Sequence, residues 1–326
     1  MNNDFSARMA EATNMTRMGK LAEATALIQR LLKGGTADSA PAPDRAPDIE
    51  VTPPRAEAKP RKGLRETLRR LAERARAVDI LDPSPAPVTK GARFETATHR
   101  SAAGARDYKL YVPANRPAGS LPLVVMLHGC TQNPDDFARG TAMNALAEEF
   151  GVLVAWPAQP AAANQNGCWN WFRAEDQCRE AGEPSLIAGI VRDVTAAENV
   201  DVSRVYVAGL SAGGAAAAVL GAQYPDLFAA VGVHSGLPHG AAQDLPSALT
   251  AMRQGGDGAA GGRIVPTIVF HGDADRVVNP RNGEAVAAQA AGEAAATTRT
   301  ERGEAGGRGY ARALHADASG RTLCEH

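Results

Sequence analysis

Cysteine is scarce in this sequence. Its 326 residues hold four, Cys130, Cys168, Cys178 and Cys324, too few for a disulfide scaffold and without the spacing of a metal site. Aromatic residues reach only 5%. No charge sign dominates: 35 Lys and Arg face 36 Asp and Glu, a net charge of -1. That balance removes any overall electrostatic reason to expect a nucleic-acid partner. Long apolar runs are missing too. The longest, Leu121 to Leu127, falls far below the ~20 residues of a spanning helix, so no integral membrane segment is expected. The first turns of the chain carry Asp4, Glu11, Arg17, Lys20 and Glu23 and no continuous apolar stretch. No secretory signal is expected there, and cytoplasmic residence is the default. No short-period repeat occurs, which excludes a solenoid.

What is present is a globular composition, 44% hydrophobic and 22% charged, rich in alanine, with 33 Gly and 21 Pro. Three regions follow one another. Residues 1–34 read as a helical leader, with Met18, Leu21, Ala24, Leu27, Ile28 and Leu31 at helical spacing and Gly34 as a stop. Residues 35–90 read as a Pro/Ala-rich linker containing a basic helix over 61–78, whose charges are expected to be solvated. From residue 91 to 326 apolar strands alternate with helices, the signature of an α/β domain with a mostly parallel sheet. Strands are expected at Tyr108–Val112, Leu121–Leu127, Val152–Trp156, Val205–Leu210, Phe228–His234 and Ile264–Phe270. Helices are expected at Asp135–Phe150, Pro184–Asn199, Ala212–Gln223 and after Pro280.

The sharpest chemical signal is Gly209-Leu210-Ser211-Ala212-Gly213, a G-x-S-x-G motif between an apolar strand and an Ala-rich helix. That context suits a nucleophile elbow, in which Ser211 sits on a tight turn and small residues two before and two after relieve close backbone contacts. The helix start behind Ser211 offers amides and a positive dipole end to a developing oxyanion. The alternative is a Gly-rich turn without chemistry. His128-Gly129-Cys130 closes the strand Leu121–Leu127, and the amides of Cys130 and Ala212 are assigned to the oxyanion hole; an ordinary strand-terminal turn is the competing reading. His128 itself is expected to shape that turn. After the strand ending at Phe270, Asp275 is the choice for orienting a general base, with Asp273 its competitor.

These residues resemble a known family. The segments 127-LHGCTQNPDDFARGTAMNALAEEFG-151, 168-CWNWF-172, 182-GEPSLIAGIVRDV-194, 205-VYVAGLSAGG-214, 233-VHSGLPHGAA-242 and 271-HGDADRVVNPRN-282 are similar to esterases of the poly(3-hydroxybutyrate) depolymerase family, within the α/β-hydrolase superfamily. The leader 20-KLAEATALIQRLL-32 resembles that of non-secreted members; extracellular residence, as for secreted members, is the alternative. The resemblance implies a carboxylester hydrolase with a Ser–His–Asp triad, acting on polyhydroxyalkanoates, feruloylated polysaccharides or acetylated xylans, and needing no cofactor.

The general base departs from that pattern. Chain order asks for a histidine after Asp275, and only His315 and His326 qualify. His315 falls in a strand before an Asp-Ala-Ser-Gly turn, and His326 is the final residue. The resemblance implies a His-bearing segment and a closing helix beyond that hairpin, so the expectation is a sequence cut short near its end. It would keep Ser211, Asp275 and the oxyanion hole but lose the base. A catalytically impaired relative that binds a polyester or polysaccharide is the competing reading. Trp169 and Trp171 are candidates to line a substrate groove, with packing under a long loop weighted equally. Cys130 and Cys168 are expected to approach each other as free thiols.

Overall fold

The structure is a computed structural model that describes residues 86–259 and 265–326. The expected leader and basic helix lie outside the described residues. Among the described residues ten strands form one sheet in the order β1-β2-β4-β3-β5-β6-β7-β10-β9-β8. Its middle is parallel: β4 (Leu153–Pro157), β3 (Leu121–Leu127), β5 (Val200–Leu210), β6 (Ala230–His234), β7 (Thr267–Phe270) and β10 (Thr322–Glu325). Antiparallel hairpins finish both edges, β1 (Arg93–Ser101) with β2 (Gly104–Val112) and β8 (Thr297–Ala305) with β9 (Arg308–Ala316). The expected parallel core is therefore present. The sequence reading missed β1 and β8, whose polar, solvated residues carry no apolar alternation.

Two layers of helix pack on this sheet. In β3 the odd residues Leu121, Leu123, Val125 and Leu127 are buried, while Pro122, Val124 and Met126 are half-buried. The buried row meets α3 (Gly182–Ala197) and α4 (Ala212–Gln223) in the main core. α3 begins with Pro184 in its first turn and aims Ile187, Ile190, Val191 and Val194 inward at the helical period. Each such side chain contributes roughly 1.5–3 kcal/mol of burial free energy. α4 is built of alanine and glycine, so its backbone comes close to the sheet: a Cβ on Gly221 would lie 2.7 Å from Val231 Cγ2. The second layer holds Tyr111, Phe137, Ala147, Val154 and Trp156.

The helix expected over Asp135–Phe150 is two helices, α1 (Pro134–Thr141) and α2 (Met143–Phe150). Ala142 between them is left-handed at φ 53° and caps α1 by donating its amide to Arg139 O. The left-handed residue itself is an alanine, with Gly140 two residues earlier, so the sequence does not place the break at Ala142. α5 (Leu245–Gln254) and α6 (Arg281–Ala291) complete the described helices.

Register positions the site. Leu127 pairs with Gly209, Leu210 with His234, and His234 with Phe270. The residues that follow these strands, His128, Ser211, Ser235 and His271, therefore emerge along one edge of the sheet. That edge is the carboxyl end of the parallel strands, where ligands of such sheets bind.

Candidate active site

Ser211 has the backbone of a strained elbow, φ 56° and ψ -118°. A non-glycine residue held there costs on the order of 1–3 kcal/mol and persists only where its surroundings impose it. Two glycines and a sheet bond impose it here. A Cβ on Gly209 would collide with the Gly213 carbonyl, and one on Gly213 with the carbonyls of Leu127 and His128. The Ser211 amide donates to His234 O at 2.8 Å, and Ser211 O accepts the first bond of α4 from Ala215 N at 3.0 Å. Ser211 is half-buried on this turn.

The turn after β3 abuts the elbow, with Leu210 O 3.6 Å from where a Gly129 Cβ would sit. His128 is buried; its Nε2 accepts from Gln159 N at 3.2 Å, which places the proton on Nδ1 to donate to Gly129 O at 2.8 Å. Burial lowers the His128 pKa, with Arg106 adding to the effect against the Gly129 carbonyl and Asp136. The ring is a neutral turn-shaping group. The amide of Cys130 has no acceptor among the described residues, and that of Ala212, first in α4, has no intrahelical one.

Asp275 stands beyond β7. Its Oδ1 accepts from Val277 N at 2.8 Å and Val278 N at 3.0 Å. Burial works upward on the carboxyl, but those two amides, the His271 ring and the Ser235 hydroxyl outweigh it and hold its pKa below the ordinary value. Asp273 is exposed. His271 Nε2 lies 3.6 Å from Asp275 Oδ2, yet the nitrogen bonds Val278 O at 2.9 Å, and Nδ1 is buried without a partner.

All seven histidines fall within the described residues, and none hydrogen-bonds Ser211. His99 pairs with Asp193, His128 with Gly129 and Gln159, His234 with Ser235, His239 with Gln223 and Gln177. His271 is held by Val278 O, and His315 in β9 meets Thr298. The His326 backbone is bonded in both directions to Ala313.

One expectation is corrected. Cys130 and Cys168 are a disulfide rather than free thiols, with Cα atoms 4.2 Å apart; compartment had been weighed above geometry, and the bridge ties the turn after β3 to the following long loop. Trp169 and Trp171 are 0% and 6% exposed. Trp169 Nε1 donates to His128 O at 3.0 Å, and Trp171 packs edge-on against Phe172. Both rings support the site from beneath.

A buried polar cluster was missed entirely. Glu183 accepts from Asn170 N and Nδ2, both at 2.8 Å, and from Gln159 Nε2, with the Arg106 guanidinium 3.7 Å away. Burial raises the Glu183 pKa, and the Asp176 charge adds to it. The cluster ties the 158–183 loop to the sheet and reaches His128 through Gln159. A glutamate in a helix's first turn reads as an ordinary dipole partner, which is why it escaped notice. Among the described residues no group of three His, Cys, Asp or Glu is arranged to hold a metal ion.

The family model described as esterase PHB depolymerase matches residues 106–306, well over half of the chain. The chain belongs to that family. Poly(3-hydroxyalkanoate) depolymerase C of Paucimonas lemoignei is 38% identical over 186 residues, 53% of this chain and 44% of that protein. Feruloyl esterase B of Neurospora crassa is 32% identical over 196 residues, 52% of this chain and 64% of that protein. The chain thus spans less than half of the first relative's length and under two thirds of the second's. An acetyl xylan esterase from Aspergillus awamori superposes with a TM-score of 0.57 at 22% identity, covering 71% of this chain and 91% of that one. That likeness concerns the fold, an α/β-hydrolase.

Proposed function

We propose that this family member is a carboxylester hydrolase in which Ser211 attacks the ester carbonyl. The amides of Cys130 and Ala212 hold the oxyanion, and Asp275 is the acid of the triad. The backbone of Ser211 carries the reading. A strained residue between a parallel strand and a helix start suits a nucleophile elbow, which presents a hydroxyl at the start of a helix whose first amide, that of Ala212, has no intrahelical acceptor. Relatives named for hydroxyalkanoate, feruloyl and acetyl esters share acyl transfer from an ester, and that is the substrate class inferred here.

Attack by Ser211 requires an acceptor for its proton. None of the seven histidines hydrogen-bonds Ser211; on this reading water takes the proton, and turnover by these residues is slow. An impaired relative that holds an ester ligand is the second reading, favoured by that same placement. Hydrolysis of p-nitrophenyl butyrate tests both. Slow release that disappears in Ser211→Ala and rises with added imidazole supports the enzyme reading, because free imidazole replaces the absent base. Release unaffected by Ser211→Ala contradicts it. Residence in an oxidising compartment is favoured over the cytoplasm by the Cys130–Cys168 bridge, since cytosolic thiols are kept reduced.

A further inference from the structure

Gly129 and Thr131 on either side of Cys130 are bonded at nearly every main-chain polar group. The Gly129 amide donates to Gln132 Oε1 at 2.9 Å, and the Thr131 amide donates to Asn166 O at 2.8 Å. Gly129 O accepts twice, from His128 Nδ1 at 2.8 Å and from Gln132 N at 3.3 Å; Cys130 O accepts from Thr131 Oγ1 at 2.6 Å. Thr131 has φ 65°, the positive value that a type II turn over 129–132 requires at its third position.

The Gly129 carbonyl and the Cys130 N–H belong to one planar trans peptide, so they point in opposite directions. Gripping the carbonyl therefore aims the amide. Gln132 holds Gly129 at both ends, its own N–H on Gly129 O in the Gly129–Cys130 peptide and its side chain on Gly129 N in the His128–Gly129 peptide before it. It is anchored in turn, because its Nε2 donates to Asp136 Oδ2 at 3.0 Å in α1.

We propose that Gln132 is a positioning residue for acyl transfer: its side chain ties Gly129 N, in the peptide just before Gly129–Cys130, to α1, so that Gly129 is held at its amide by the side chain and at its carbonyl by the Gln132 main chain, and the Cys130 amide stays turned towards the oxyanion. This rests on the hydrolase reading above. It goes beyond it by assigning the orientation of the hole to a side chain that touches neither substrate nor Ser211.

The test uses Gln132→Met, which keeps the length of the side chain but neither of its hydrogen bonds, together with Gln132→Ala. Each full-length variant is treated with an alkyl fluorophosphonate, whose phosphoryl oxygen occupies the oxyanion position as Ser211 Oγ bonds phosphorus, fluoride leaves and the hydroxyl proton passes to water. The expected result is a maximal phosphonylation rate lowered about tenfold or more, since complete loss of one oxyanion donor costs about a hundredfold to a thousandfold. The half-saturating probe concentration of Gln132→Met should stay at the parental value while the maximal rate falls, a split that general loosening would not produce; the thermal midpoint should fall by only a few degrees, the cost of the unpaired Gly129 amide. A Gln132→Met chain labelled as fast as the parent overturns the inference alone. A parent chain without any adduct on Ser211 overturns the hydrolase reading and the inference with it.

Discussion

The two halves of the candidate site are built differently. On the nucleophile side, Gly209, Ser211, Gly213 and the turn after β3 touch backbone to backbone, so contacts too close for any side chain set the geometry. On the acid side, Asp275 is held by two amides of its own loop and faces His271, and no histidine bridges it to Ser211. One half is locked by sterics within short segments. The other depends on a residue that topology must bring from elsewhere. The elbow and the turn after β3 are thus rigid on their own, whereas the acid side has no hydrogen-bonded histidine linking it to them among the described residues.

The sharpest way to break the comparison is one small substitution on each side of it. Gly213→Ala forces a Cβ into the Leu127 and His128 carbonyls. A loss of about 3 kcal/mol or more in urea unfolding is expected. Asp275→Asn keeps the shape of the acid loop and should cost about 1 kcal/mol or less. Equal losses would erase the distinction.

Next in size is the disulfide, which belongs to the braced half. Two of the four cysteines, Cys178 and Cys324, are free. Alkylation of the denatured, unreduced chain should mark two cysteines by mass spectrometry. Reduction should lower stability by roughly 2–4 kcal/mol. Four marked cysteines before reduction would refute the pairing.

The smallest effect is a pH slope. Burial depresses the His128 pKa, so the unfolded chain binds more protons than the folded one below the ordinary histidine value. Stability from this group is fully present above about pH 6.5 and falls as pH drops below it. Asp275 acts in the same direction at lower pH, because its folded pKa is depressed: its contribution is present above the ordinary carboxylate value and lost as pH falls through the folded one. His128→Gln should flatten the slope between about pH 6.5 and 5 in chemical denaturation, whereas Asp275→Asn should leave that interval unchanged.

The same contrast explains what could be read from the residues alone. The elbow was legible because strand, small residues, serine and helix are adjacent in sequence, and their sterics are local. β3 and α4 were legible for the same reason, through continuous runs of apolar or small residues within one short segment. The disulfide was misjudged because compartment was inferred first. The tryptophans were left open because nothing in Cys-Trp-Asn-Trp-Phe tells which way a ring turns. Glu183, Arg106 and Gln159 were invisible, since their meeting depends on three segments far apart in the chain. The Gln132 grip was hidden for a subtler reason: its partner is a neighbour's backbone, and no motif spells out a peptide's orientation.

The central claim is that Ser211 is a nucleophile presented by an elbow. Treatment of the full chain with an alkyl fluorophosphonate, followed by peptide mass spectrometry, tests it most directly. The account predicts one adduct, on Ser211, absent from Ser211→Ala. An unlabelled chain, or an adduct that persists in Ser211→Ala, would contradict it.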